Sequence, residues 1–162
     1  MSDTTTAPAA ADAATQAALE RLNTVIDRLI APDGCPWDST QTPESLTEYV
    51  IEECHELVDA IRSGKTADMV EELGDVAFLI LMIGKLMARA GGPSLADALE
   101  VEAAKMVRRH PHVFSDTTYE NQSEQLKDWD RIKREEKAAA DAEGPKGTYD
   151  SLPRGLPPLT KA

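Results

Sequence analysis

Residues 52–75, "EECHELVDAIRSGKTADMVEELGD", constrain the fold more than any other stretch. Apolar residues recur at helical spacing on both sides of a short "RSGKTA" linker, which predicts two antiparallel neighbouring helices. A helix turns about 100° per residue, so the faces can be read from spacing. Leu46, Val50, Leu57 and Ile61 form one stripe, and Val76, Leu79, Ile83 and Leu86 form the other. Acids interrupt both. Glu53 falls inside the first stripe, with Glu56 on its edge beside Tyr49. Glu72 falls inside the second, with Asp75 as its i,i+3 neighbour. Glu52 sits further round, Asp59 points outward, and Glu71 points toward the side carrying Phe78, Lys85 and Arg89.

Two acid pairs, Glu53/Glu56 and Glu72/Asp75, can therefore face each other across the linker. An unpaired buried carboxylate costs several kcal/mol, so four together require cations. No run of Lys or Arg shares these stripes, and a divalent metal answers the need. All-oxygen ligation favours a hard ion, Mg²⁺ or Mn²⁺. The alternative for any acid is a solvated surface position, and that reading fits Asp59, Asp68 and Glu71. A di-iron carboxylate bundle is a weaker alternative, because it uses Glu-x-x-His motifs and His55 follows Glu53 at the wrong spacing.

The remaining chain reads as helices and turns. Residues 1–15 are rich in Ala, Thr and Pro, and are expected to be a disordered tail. A first helix is predicted over 16–30 from Leu22, Val25, Ile26 and Leu29. It stops at "APDGCPWD". Thr42 or Ser45 caps a second helix ending near Ser63, with Gly64 as its stop. A third spans about 67–90. Ser94 and Asp97 form a capping box for a fourth, which Pro111 ends. A charged helix over 121–142 carries Leu126, Trp129 and Ile132, and a Pro/Gly-rich tail fills 143–162. The expected class is all-α: residues 16–142 as a four-helix bundle with a C-terminal helical arm.

The run "VAFLILMIG" is apolar nearly all round, a pattern expected of a helix buried between subunits. It predicts a homodimer with the third helix near the interface. The run is too short to span a membrane. Seventeen basic against 29 acidic residues give a net charge of −12, which disfavours nucleic acid and anionic membranes as partners. Cys35 and Cys54 have no framework spacing and read as buried thiols. With no secretory signal pattern at the N-terminus, a cytoplasmic location is expected.

"EECHE" followed by "EELGD" resembles the EExxE…ExxD signature of MazG-type nucleoside triphosphate pyrophosphohydrolases. "GCPWDSTQT", "RRHPHVF", "WDRIKREEK" and "LPRGLPPL" resemble further family motifs in order. Ser39 stands where relatives often have Lys. One such domain is present, where longer members carry two in tandem, and the chain resembles the first of these. The resemblance implies an all-α, usually dimeric fold and Mg²⁺-dependent hydrolysis of NTP or dNTP to monophosphate and pyrophosphate. It implies Glu53, Glu56, Glu72 and Asp75 as metal ligands with Glu52 assisting, Lys105 and Arg109 as triphosphate contacts, and Trp129 as a nucleoside contact.

In that chemistry a water attacks the α-phosphorus, and Glu52 or Glu53 is the candidate base. Lys105 and Arg109 are i,i+4 neighbours on one face; spacing alone reads equally as a solvated basic end suited to the helix dipole. Arg108 points off that face and reads as structural. His110, His112 and Trp37 read as packing or capping groups, and from the residues alone Trp129 reads first as docking the last helix, with base stacking as the lesser reading. A catalytically weak nucleotide-binding dimerisation module is the alternative function.

Overall fold

The computed structural model describes the backbone of residues 6–140 and the side chains of residues 12–138; the predicted 143–162 tail lies outside them. The described residues are helical, with no strand. In order they form α1 (Thr6–Leu29), a 3-10 turn (Asp38–Thr40), α2 (Thr47–Ser63), α3 (Thr66–Arg89), α4 (Leu95–Arg109), α5 (Pro111–Phe114) and α6 (Gln122–Ala140). The chain divides into two compact units, residues 1–100 and 101–162.

α1 starts at Thr6, so the reading of residues 1–15 as a disordered tail does not hold from Thr6 onward. The segment is Ala-rich, and Ala has the highest helix propensity of any residue. The Ser94–Asp97 and Gly64 readings hold, but Thr42 and Ser45 do not cap α2, because its N-cap position is Leu46, which makes no side-chain capping bond. The Ser94 amide donates to the Asp97 carboxylate at 2.7 Å, and the Asp97 amide donates to Ser94 Oγ. Before α2, Thr42 and Ser45 exchange amide-to-hydroxyl hydrogen bonds at 3.0 and 3.2 Å. Gly64 closes α2 at φ 71°, a left-handed conformation that favours glycine. Pro111 does not simply end a helix. It opens the short α5, because its fixed φ suits a first helical position.

In the first unit, α3 packs on both α2 and α1. Ile26 and Ile30, the α2-preceding Leu46, and Leu79, Leu81, Met82 and Leu86 of α3 make the core. Leu22, Val50, Phe78, Ile83 and Leu95 pack around it. Most of the apolar run on α3 is thus covered within the chain, and Ile80 remains about half exposed.

Two glycines of α3 differ in what surrounds them. A Cβ on Gly84 would meet the Leu95 Cβ at 2.6 Å, whereas nothing lies within 4 Å of one on Gly74. Removing a helical glycine gains about 1 kcal/mol, but overpacking a core costs about 1–3 kcal/mol. Gly74→Ala should therefore raise the urea midpoint of unfolding, and Gly84→Ala should lower it.

Candidate metal centre and basic cluster

The α2–α3 hairpin positions the acids. The two helices are linked through only Gly64 and Lys65, so residues a few turns from the link on each side face one another. Carboxylate oxygens of Glu53, Glu56 and Glu72 all lie within 4.8 Å of one another. The hairpin thus brings together three of the four acids expected to meet. Asp75 is not in that group, but its charge acts on both Glu53 and Glu72.

The acids are not buried in the core. Glu53 and Glu72 are half-buried, while Glu56, Asp75, Glu52 and Glu71 are exposed. The need for a cation therefore comes from partial burial together with clustering. Partial burial, then the charges of Asp75, Glu56 and Glu52, raise the pKa of Glu53 above its ordinary value. Partial burial, then Glu56, Glu53, Glu71 and Asp75, raise that of Glu72. Three oxygen donors in ion-binding reach, with no basic side chain ion-paired to any of them among the described residues, suit a hard divalent cation.

A cavity of about 320 Å³ opens at this place, lined by Glu56, Asp59, Ala60, Ser63, Lys65, Asp68 and Glu72. Asp59 and Asp68 also line it, although by sequence both read as solvated surface acids. Each is ion-paired, Asp59 with Arg62 at 3.7 Å and Asp68 with Lys65 at 3.3 Å. Lys65 was missed from sequence because it sits in the linker, where helical periodicity gives no direction. A larger cavity of about 610 Å³, lined by Ser39, Thr42, Glu44, Leu86 and Arg89 among others, lies toward the other end of α3. Leu86 is about 20 Å of helix rise from Glu72, so that cavity is separate from the acids.

Lys105, Arg109 and Trp129 belong to the second unit. Lys105 is paired with Glu102. Arg109 donates from Nε and Nη2 to one oxygen of Glu136, at 2.9 and 2.8 Å. Arg108 Nε donates to the other oxygen at 3.1 Å. The Arg109 hydrogen bonds chiefly, with Arg108 adding, hold the Glu136 carboxyl below the usual range against partial burial. The Arg109 guanidinium lies 5.6 Å from the Trp129 ring centre, and His110 meets that ring edge-on at 4.8 Å. The His110 ring donates from Nδ1 to the Met106 carbonyl at 2.6 Å. Glu136 continues the Leu126, Trp129 and Ile132 face of α6 at i+7 from Trp129, and it escaped the sequence reading because spacing does not say which helix that face meets. Trp37 is about half exposed and meets Tyr49 edge-on at 5.6 Å. Cys54 is exposed, not buried, since it lies on the outer face of α2.

The fold and its carboxylate cluster define an all-helical protein with a candidate divalent-metal centre on a helical hairpin. Residues 41–114 match the MazG nucleotide pyrophosphohydrolase domain. The chain is 38% identical over 145 residues to the nucleoside triphosphate pyrophosphohydrolase of Escherichia coli K12, covering 89% of this chain and 54% of that protein. It is 39% identical over 118 residues to the nucleoside triphosphate pyrophosphohydrolase/pyrophosphatase MazG of Thermotoga maritima, covering 73% of this chain and 45% of that protein. The crystal structure of a mazG-related protein from Thermotoga maritima superposes with a TM-score of 0.61 at 29% identity, covering 71% of this chain and 98% of that one. The chain carries a domain of the MazG family over residues 41–114. It spans about half the length of these two curated relatives.

The pKa shifts give a sign for pH dependence. Glu53 and Glu72 are both raised above the ordinary value of 4.5. Their contribution to metal-free stability is present below that value and is lost as pH rises through the raised values. In chelator, Glu72→Gln should flatten this loss and raise the melting temperature at neutral pH. The same change should weaken Mn²⁺ binding in calorimetry. Glu71→Gln should leave Mn²⁺ binding near wild type, because Glu71 lies outside the three-carboxylate group.

Proposed function

We propose that this chain hydrolyses nucleoside triphosphates, NTP or dNTP, to the monophosphate and pyrophosphate in a Mg²⁺-dependent reaction, with Mn²⁺ as a substitute. The observation that carries the reading is the meeting of Glu53, Glu56 and Glu72 on the α2–α3 hairpin of a chain with a MazG-family domain. These three, with Asp75 beside them, are the residues that would hold the ion. When bound, Mg²⁺ would neutralise charge on the phosphate oxygens and favour ionisation of water.

The chain's own residues carry the remaining roles. A water oxygen bonds to the α-phosphorus, the bond from that phosphorus to the bridging oxygen breaks, and pyrophosphate leaves with the bond's electrons. The water's proton goes to a carboxylate. Glu53 lies inside the three-acid group and Glu52 outside it, which favours Glu52 as the acceptor, since an oxygen donated to a cation is less basic. Lys105 and Arg109 bind the triphosphate and stabilise the departing charge. Trp129 offers a ring to the nucleoside. The role fits nucleotide-pool house-cleaning or regulation in the cytoplasm.

The reading includes a homodimer of four-helix MazG-like domains. Its support is an exposed apolar stripe on α3, where Val70, Leu73 and Ile80 are 68%, 59% and 48% exposed. Ile51, Val58 and Ile61 add a second such stripe on α2. Apolar patches of this kind mark association surfaces.

Two measurements test the proposal. A panel of canonical, deoxy and damaged nucleoside triphosphates should yield pyrophosphate with Mg²⁺ and none in chelator. Triphosphate binding without pyrophosphate release would leave a nucleotide-binding module instead of an enzyme. Light scattering should give twice the chain mass, and Leu73→Glu should shift it toward the monomer by placing charge in the apolar stripe.

A further inference from the structure

We propose that Glu136 is a positioning residue for polyphosphate binding: its carboxylate, shared by Arg108 and Arg109, fixes the Arg109 guanidinium beside Trp129 and leaves one edge free for phosphate. The inference rests on the triphosphate role given to Arg109 above. Three hydrogen bonds of 2.8–3.1 Å tie the two arginines to this one carboxylate. The Arg109 and Glu136 side chains are only 17% and 21% exposed, so the contact is shielded from solvent. Arg109 commits Nε and Nη2 to Glu136, while its Nη1 has no hydrogen-bond partner among the described residues.

The geometry explains why a carboxylate can serve a site for anions. One negative charge is shared by two guanidiniums, so the group keeps a net positive charge. A guanidinium is planar and rigid, so holding one edge and placing the cation beside an aromatic ring fixes the direction of the other edge. Without Glu136, the long Arg109 side chain would regain its rotamers, and binding phosphate would have to restrict them again. Glu136 sits in α6 and Arg109 at the end of α4, so the contact makes the setting of α6 part of the anion site. Tyr119, which donates to Asp128 of α6 at 2.7 Å, and His112, within 3.1 Å of Gln125 of α6, brace the same helix.

The rival role is competitive: Glu136 would mask Arg109 until triphosphate displaces it. Substitutions separate the two. Glu136→Gln keeps the reach and an acceptor oxygen but loses the charge. Glu136→Asp keeps the charge but shortens the reach. The full chain would be assayed for pyrophosphate release with Mg²⁺ and its fastest canonical triphosphate, and for binding of inorganic tripolyphosphate by calorimetry. Positioning predicts that Glu136→Ala raises KM and the tripolyphosphate Kd about tenfold, the size of one charge-assisted contact, with kcat within about twofold. Glu136→Asp should follow Ala, and Glu136→Gln should stay within about threefold of wild type. In an Arg109→Ala background, Glu136→Ala should add nothing further.

Tighter binding by the Gln and Ala variants would overturn the proposal in favour of masking. Unchanged KM and Kd in all three variants would overturn it outright. So would a fall in kcat and melting temperature with KM unmoved, which marks a structural contact. Should Glu136→Ala fail to fold, the Asp and Gln pair still decides between the roles. A wild-type chain that binds tripolyphosphate but releases no pyrophosphate removes the enzyme reading and leaves the Kd comparison to judge Glu136. A wild-type chain that binds no tripolyphosphate overturns this proposal directly.

Discussion

The two-residue link between α2 and α3 is the constraint on which the first unit depends. Gly64 ends α2 in a left-handed conformation and Lys65 leads directly into Thr66. With no slack in the connection, the helices must lie side by side and run back along each other. Everything at the acid cluster follows from that. Glu53 and Glu56 are a few turns before the link and Glu72 a few residues after it, so their carboxylates meet without any loop to place them. The same hairpin supplies Leu79, Met82 and Leu86 to the core on its far stretch. One element thus carries hydrophobic packing along one part and mutual repulsion along another.

Electrostatics divides the acids of this chain into two kinds. Many are locally paired, as Asp27 is with Lys85 at 2.6 Å and Asp33 with Arg28 at 2.7 Å. Such exposed pairs contribute little to stability, and they leave the surface quiet. The hairpin acids are different, because each of Glu53 and Glu72 has other carboxylates as its charged neighbours. Repulsion held in a folded state is a small standing cost that a bound cation converts into affinity. The second unit inverts the pattern. There two arginines share one carboxylate, and the proton affinities of Glu136 and Asp128 are lowered.

The helices were legible because their signals are local. Periodicity at Leu22, Ile26, Leu79 and Leu86, the capping pair Ser94–Asp97 and the stop at Gly64 all lie within a few residues of the feature they specify. The helical faces also gave the meeting of Glu53, Glu56 and Glu72, since a short link turns one-dimensional spacing into three-dimensional adjacency. Where local signals conflict, the reading failed. The first residues of α1 carry Thr and Pro, which suggested a loose tail, yet their alanines favour helix. Cys54 looked buried by type but lies on the outer face of α2, among Ile51, Val58 and Ile61.

The sequence by itself determined the all-helical class, the family of its domain through ordered motifs, and which acids share a side of the hairpin. Tertiary structure alone decided how deeply those acids sit. Burial depends on which neighbours cover a face, and no spacing rule counts them; Glu56 and Asp75 therefore proved exposed where the stripes suggested inward positions. It also decided the partners of charged side chains. Glu136 is 27 residues from Arg109, and nothing in the spacing of α4 or α6 couples them. Leu126, Trp129 and Ile132 give α6 a face, but spacing does not say which helix that face meets, so the carboxylate that holds Arg109 could be identified only once the chain had folded.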